Sequence, residues 1–137
     1  AIDTEKRQVT FSGAHNALWI LTSQEELPNA NLREEENGQR MFELKADRRS
    51  IGGFMDAGSF TENTVVLNEG DRLFLFSDGF ADQFGGPRGK KLGSKRMRET
   101  LREMAVSGNL IALGAIFEDW KQDEEQVDDV TVISVVV

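Results

Sequence analysis

The chain has 137 residues, 39 % hydrophobic and 29 % charged, with 16 Lys and Arg against 24 Asp and Glu for a formal net charge of −8. That length suits one compact domain, residues 1–137, able to bury roughly two-thirds of the surface its unfolded chain exposes. The acidic balance argues against a general nucleic-acid binder, no apolar run approaches the ~18 residues of a membrane span, and the lack of Cys excludes disulfide scaffolds, thiolate zinc sites and Cys nucleophiles.

Short hydrophobic blocks bounded by turn residues predict strands. Residues 8–12 and 17–22 read as a hairpin about a Gly13-Ala14-His15-Asn16 turn. Residues 23–39, with five Glu, three Asn, one Pro and one Gly, read as a long loop. A strand over 41–45 leads into a Gly-rich connection over 47–61, followed by strands over 62–67 and 72–77. The last of these (Arg72-Leu73-Phe74-Leu75-Phe76-Ser77) is apolar enough to predict burial on both faces. After Asp78-Gly79 a Gly-rich loop runs to Gly93, and Ser94 is placed to cap a helix. Met97, Leu101, Met104 and Ala105 share one face of that helix, which Gly108 ends as a left-handed cap. A second helix over 109–120 puts Leu110, Leu113, Phe117 and Trp120 on its buried stripe. The Val-rich stretch 130–137 is the final strand. Strands, two helices and a returning strand make an α+β layout with mainly antiparallel sheet.

Charge is unevenly spread. Residues 88–102 hold seven basic side chains and one acid, while residues 118–129 hold seven acids and one Lys. The simplest account of both runs is solvated surface, so chemistry must rest on individual residues. Asp78 follows a buried strand directly, with Asp82 four residues on, and Asp128-Asp129 immediately precede the last strand. If those strands are antiparallel, the carboxylates converge at one edge of the sheet. Converging like charges need a counter-charge or a raised pKa, and carboxylates with no Cys and a single His suit Mg²⁺ or Mn²⁺ as that counter-charge. Spacing alone leaves this reading level with another, in which Asp78-Gly79 is a turn and Asp128-Asp129 a solvated strand start. His15 reads as a turn-bracing hydrogen bonder. No Ser has a His and an acid at triad-like spacing, and the Gly85–Lys91 loop lacks the Walker spacing of a nucleotide site.

Four blocks occur in order: Ser12-Gly13-Ala14-His15-Asn16-Ala17-Leu18-Trp19; Lys45-Ala46-Asp47 leading to Ser50-Ile51-Gly52; Gly70-Asp71-Arg72-Leu73-Phe74-Leu75-Phe76-Ser77-Asp78-Gly79-Phe80-Ala81-Asp82-Gln83-Phe84-Gly85-Gly86; and Gln126-Val127-Asp128-Asp129-Val130-Thr131-Val132-Ile133. Together they resemble the SpoIIE-type branch of the metal-dependent, type 2C-like protein serine/threonine phosphatases, especially bacterial sensor-type proteins. The likeness runs over nearly the whole chain, and the pairing of Ser-Asp-Gly with Asp-Asp-Val-Thr is its most specific part.

The resemblance implies a type 2C phosphatase-like layered β-sandwich flanked by helices, with two Mg²⁺ or Mn²⁺ ions in the complete domain. It implies metal ligation by Asp78 and Asp128, with Asp129 as a neighbouring or second-metal group, and no covalent enzyme intermediate. The family's earlier Asp and its Asp-x-x-Gly-His-Gly segment do not occur here, and the chain opens Ala1-Ile2-Asp3 without an initiator Met. The expectation is therefore a phosphatase domain truncated at its N-terminus, binding metal weakly and poorly active alone. Exposed apolar surface and a homodimer are expected for the same reason. By family likeness the substrate is a phosphorylated regulatory protein such as an anti-sigma-factor antagonist, met in the cytoplasm by the cytosolic part of a larger sensor. No nucleic acid and no membrane contact are expected of this segment. The alternative is a non-catalytic docking or sensory module that keeps the carboxylates as remnants.

Overall fold

A computed structural model describes residues 1–52 and 58–137, which form two compact units. The first comprises Ala1–Leu75 with Val132–Val137, the second Phe76–Thr131.

In the first unit, β1 (Ile2–Asp3), β2 (Gln8–Phe11) and β6 (Asn63–Val66) make a three-stranded sheet in the order β1-β2-β6. A five-stranded sheet contains β3 (Leu18–Thr22), β4 (Asn31–Glu36), β5 (Gln39–Leu44), β7 (Arg72–Phe76, whose last residue begins the second unit) and the C-terminal β10 (Val132–Val136). Its order is β10-β7-β3-β5-β4. Val9 of β2 and Val65 of β6 share one apolar cluster with Leu18 and Ile20 of β3, Phe42 and Leu44 of β5, and Leu73 of β7. The register explains the cluster, because Ile20 lies opposite Phe42 on one side and Leu73 on the other, while Leu18 faces Leu44. Period-two alternation thus turns one face of each sheet inward, and the two layers close on each other as a β-sandwich. All five residues of β3 are buried, so the alternate set, Trp19 and Leu21, is covered as well. β7 meets its expected double burial only in part, since Leu73 and Phe74 are buried but Leu75 is 41 % exposed.

Two sequence expectations are corrected in this unit. The strands flanking Gly13–Asn16 are no hairpin, because β2 pairs with β1 and β6 whereas β3 pairs with β5 and β7. The connection carries the chain from one layer to the other. It is pinned by Asp47, whose N–H donates to the Gly13 carbonyl (2.9 Å) and whose carbonyl accepts from the His15 N–H (2.8 Å). Residues 23–39 are also more than a loop, since 31–36 form edge strand β4 against β5, with a bulge between Leu32 and Glu34. Its acids are tolerated because the strand is almost wholly exposed, and Arg33–Glu43 and Arg40–Glu35 ion pairs tie it to β5. Part of the expected Gly-rich connection, residues 53–57, lies outside the described residues.

The second unit holds α1 (Gly79–Asp82), a small hairpin of β8 (Phe84–Gly85) and β9 (Lys90–Lys91), α2 (Gly93–Val106), a 3-10 turn at Leu110–Ala112, and α3 (Leu113–Lys121). Met97 and Leu101, one turn apart, are fully buried, and the Phe80 and Phe117 rings meet at 5.4 Å between centroids. Gly108 stops α2 with φ 72°, as expected, but Ser94 does not cap it: the helix begins one residue earlier and has no side-chain cap. Part of the basic run has local partners: Lys91 pairs with Asp82 (3.0 Å), Lys95 with Glu99 (3.8 Å), and Arg96 stacks on Trp120 (4.4 Å). Among the described residues no helix is long and apolar enough to cross a membrane.

Candidate metal centre

The three acids singled out by the sequence, Asp78, Asp128 and Asp129, all belong to the second unit. β7 and β10 are neighbours in their sheet, and the bonded pairs at either end of β7, Asp71 with Val137 and Ser77 with Thr131, give them opposite directions. The C-terminal end of β7 therefore meets the residues leading into β10.

That meeting is fixed by main-chain contacts. The Ser77 N–H donates to the Thr131 carbonyl (3.0 Å). The Ser77 hydroxyl donates to the Asp129 carbonyl (2.8 Å) and accepts from the Thr131 N–H (2.9 Å), so both its hydrogen-bonding roles serve the junction. Gly79 lies so close that an added Cβ would collide with the Asp129 carbonyl and come within 3.2 Å of the Asp128 carbonyl. Only a residue without a side chain fits there. Asp78 and Asp128-Asp129 are thus brought to one edge by their backbones, and all three are solvent-exposed.

The Asp128-Asp129 turn is braced from within. One Asp128 carboxylate oxygen accepts from the Asp129 N–H (2.7 Å), and the Gln126 amide donates to the Asp128 carbonyl (2.8 Å). Asp82, which the sequence placed beside Asp78, is instead paired with Lys91, and its N–H donates to the Asp78 carbonyl as the first helical bond of α1 (2.9 Å). His15 belongs to the first unit. Its ring reaches the Ser50 hydroxyl (3.3 Å) and its backbone is left-handed at φ 63°, in keeping with a turn-bracing role.

Gln83 carries structure the sequence reading did not foresee. It is fully buried although polar. Its side-chain amide donates to the carbonyls of Glu125 (2.9 Å) and Phe84 (3.0 Å), its side-chain oxygen accepts from the Val127 N–H (3.4 Å), and its carbonyl accepts from Leu92 N–H (2.9 Å) and Trp120 Nε1 (3.0 Å). No periodicity or motif marks such a residue, because its importance comes from partners up to 44 positions away.

Carboxylates are hard oxygen donors, so the donor chemistry suits Mg²⁺ or Mn²⁺. Among the described residues, however, no group of three or more His, Asp or Glu side chains is arranged to hold a metal. The three carboxylates share an edge without forming such a group.

No curated protein matches the sequence. Among solved structures, the SiaA-PP2C domain of Pseudomonas aeruginosa is similar at 30 % sequence identity and a TM-score of 0.75, over 98 % of this chain and 48 % of that one. The chain thus spans about half the length of that relative. The family described as Stage II sporulation protein E (SpoIIE) matches residues 1–137. With an α+β fold like that of a PP2C domain and its sequence matched from end to end, the chain belongs to the SpoIIE family of PP2C-type domains.

Proposed function

We propose that this chain supplies the Asp78 and Asp128-Asp129 part of a divalent-cation site in a signalling phosphatase that removes phosphate from phosphoserine or phosphothreonine of a regulatory protein. The observation that supports it best is the junction of Ser77 and Gly79 with Asp129 and Thr131, which delivers acids 50 residues apart in the chain to one edge. Bound Mg²⁺ or Mn²⁺ would supply a water of lowered pKa and offset the charge of the phosphate. The chain's own residues have narrower tasks. Asp78 and Asp128 would hold the cation through carboxylate oxygens, Asp129 would hold it or orient the first two, and Ser77 with Gly79 keeps the two segments in register.

The test is Asp78→Asn and Asp128→Asn in the full-length protein. Each should lower Mn²⁺ affinity and phosphopeptide hydrolysis by more than the roughly 10–100-fold typical of changes outside the ligand set. Survival of both properties would remove these residues from the metal site. The lack of a three-ligand cluster among the described residues favours a second reading, a docking or sensory module with remnant carboxylates. Mn²⁺ titration of the full-length protein separates the two, because the module binds no cation at these positions. With no three-ligand cluster among the described residues, the 137-residue chain alone should hydrolyse poorly.

A further inference from the structure

We propose that Gln83 is the positioning residue that sets the Asp128-Asp129 pair against Asp78, an inference resting on the metal-site reading above. Asp78 is anchored simply, at the end of β7 and the start of α1. Residues 123–129 have no such support, since they lie between α3 and β10 outside helix and strand and are all exposed. A segment that far into solvent needs a fastening to hold two like-charged side chains in one place. Ser77 fastens it at Asp129 and Thr131. Gln83 fastens it on the other side, at the Glu125 carbonyl and the Val127 N–H. The two attachments bracket Asp128 between them.

Burial gives the second attachment its strength. Gln83 is 0 % exposed, so its amide has no water to exchange with and each polar atom depends on its protein partners. The carbonyl of the same residue holds Trp120 of α3 and Leu92 before α2. One side chain and its own peptide therefore tie α1, α2, α3 and the acidic segment to a common point. Chain connectivity reinforces this, because Gln83 follows α1, which begins right after Asp78. A shift at Gln83 would move both halves of the acid set relative to each other. Gln is suited to the post by chemistry as well: the segment presents a carbonyl at 125 and an N–H at 127, and only a side chain with both a donor and an acceptor meets the two together.

Two variants test this in the full-length protein. Gln83→Met keeps the length and burial and removes both hydrogen-bonding roles. It should leave the far-UV spectrum unchanged, abolish hydrogen-exchange protection of the Val127 amide, and weaken Mn²⁺ binding about tenfold, the lower end of the range for residues that orient ligands. Gln83→Glu keeps an acceptor but turns a carboxylate oxygen toward the carbonyls of Glu125 and Phe84. Its Mn²⁺ deficit relative to wild type should exceed that of the Met variant at neutral pH and narrow toward acid pH, where the protonated carboxyl regains a donor. A residue that merely filled space would show the same relief of a buried charge in the Glu variant but would keep the Val127 amide protected in the Met variant. If both variants bind Mn²⁺ as wild type does and keep the Val127 amide protected, the proposal is overturned. Should wild type itself bind no Mn²⁺, the metal-site reading falls. Unchanged protection in the Met variant would then overturn the anchoring role separately.

Discussion

Gly79 shows how little room the junction leaves. The carbonyls of Asp128 and Asp129 occupy the space a side chain would need, and those atoms are backbone, so they yield only if the segment moves. Gly79→Ala should cost about 1–3 kcal/mol through overpacking and displace the acidic pair, lowering Mn²⁺ affinity together with the melting temperature. Ser77→Ala makes the useful contrast, because it deletes the hydroxyl's two bonds without a collision and should cost only about 1 kcal/mol. Equal loss of affinity in both would show that hydrogen bonding, not close approach, sets the spacing. Among the described residues of the first unit, Asp47 is an acid whose protonation the fold opposes. The Thr61 N–H (2.6 Å) does most to hold its carboxyl below the ordinary value of 3.8; desolvation works against this, and the Thr61 hydroxyl and the Arg49 charge add to the lowering. A depressed folded value favours the ionised form, so the stability it contributes is present above about pH 4 and lost as pH falls through the lowered value. Asp47→Asn should therefore trail wild type at neutral pH, with the gap closing below about pH 4 in chemical-denaturation curves. A gap that stays constant down to pH 2 would mean the carboxyl's charge plays no part.

Elements whose evidence is local could be read directly from the chain. The apolar alternation of β3 and β5 and the i, i+4 pairing of Met97 with Leu101 lead straight to buried faces, because burial is what those periods encode. The metal candidates were equally accessible, since Asp78 and Asp128-Asp129 adjoin strands that the sequence predicts on its own. β4 was hidden because an exposed edge strand needs no alternation: Asn31–Glu36 shows a run of Glu where a half-buried strand would alternate. Yet the signal was present in the Asn37-Gly38 pair, which takes φ values of 51° and 75° and closes the β4–β5 turn. The false hairpin across Gly13–Asn16 has the opposite cause. Two strand-like runs separated by a short turn look alike whether they pair with each other or part into two layers. Here the outcome depends on Asp47, about thirty positions further along, which local pattern does not register. Gln83 is the extreme case, a polar residue in a Gly-rich stretch that is buried only once α3 and the acidic segment have returned to it.

At the scale of the whole molecule, the formal charge of −8 makes any cation a stabiliser, so a specific site must be told apart from general screening. The two act over different ranges. Screening depends on ionic strength, with a Debye length of about 10 Å at 0.1 M, and acts on charges wherever they lie. A bound ion acts where its ligands are, and all three candidate acids fall in the unit Phe76–Thr131. Mn²⁺ in the full-length protein at a hundred times its dissociation constant should raise unfolding free energy by about 2.7 kcal/mol, provided it binds the folded chain alone. Sodium chloride at matched ionic strength should fall well short of that. The added exchange protection should concentrate at residues 77–79 and 127–131, where the backbone contacts join the two acidic segments. Asp128→Asn should abolish the Mn²⁺ gain and leave the sodium chloride response nearly intact, since removing one of 24 acids barely changes the overall field. If sodium chloride reproduces the gain, or if the variant keeps it, the carboxylates at this edge are surface charge and the cation has no seat among them.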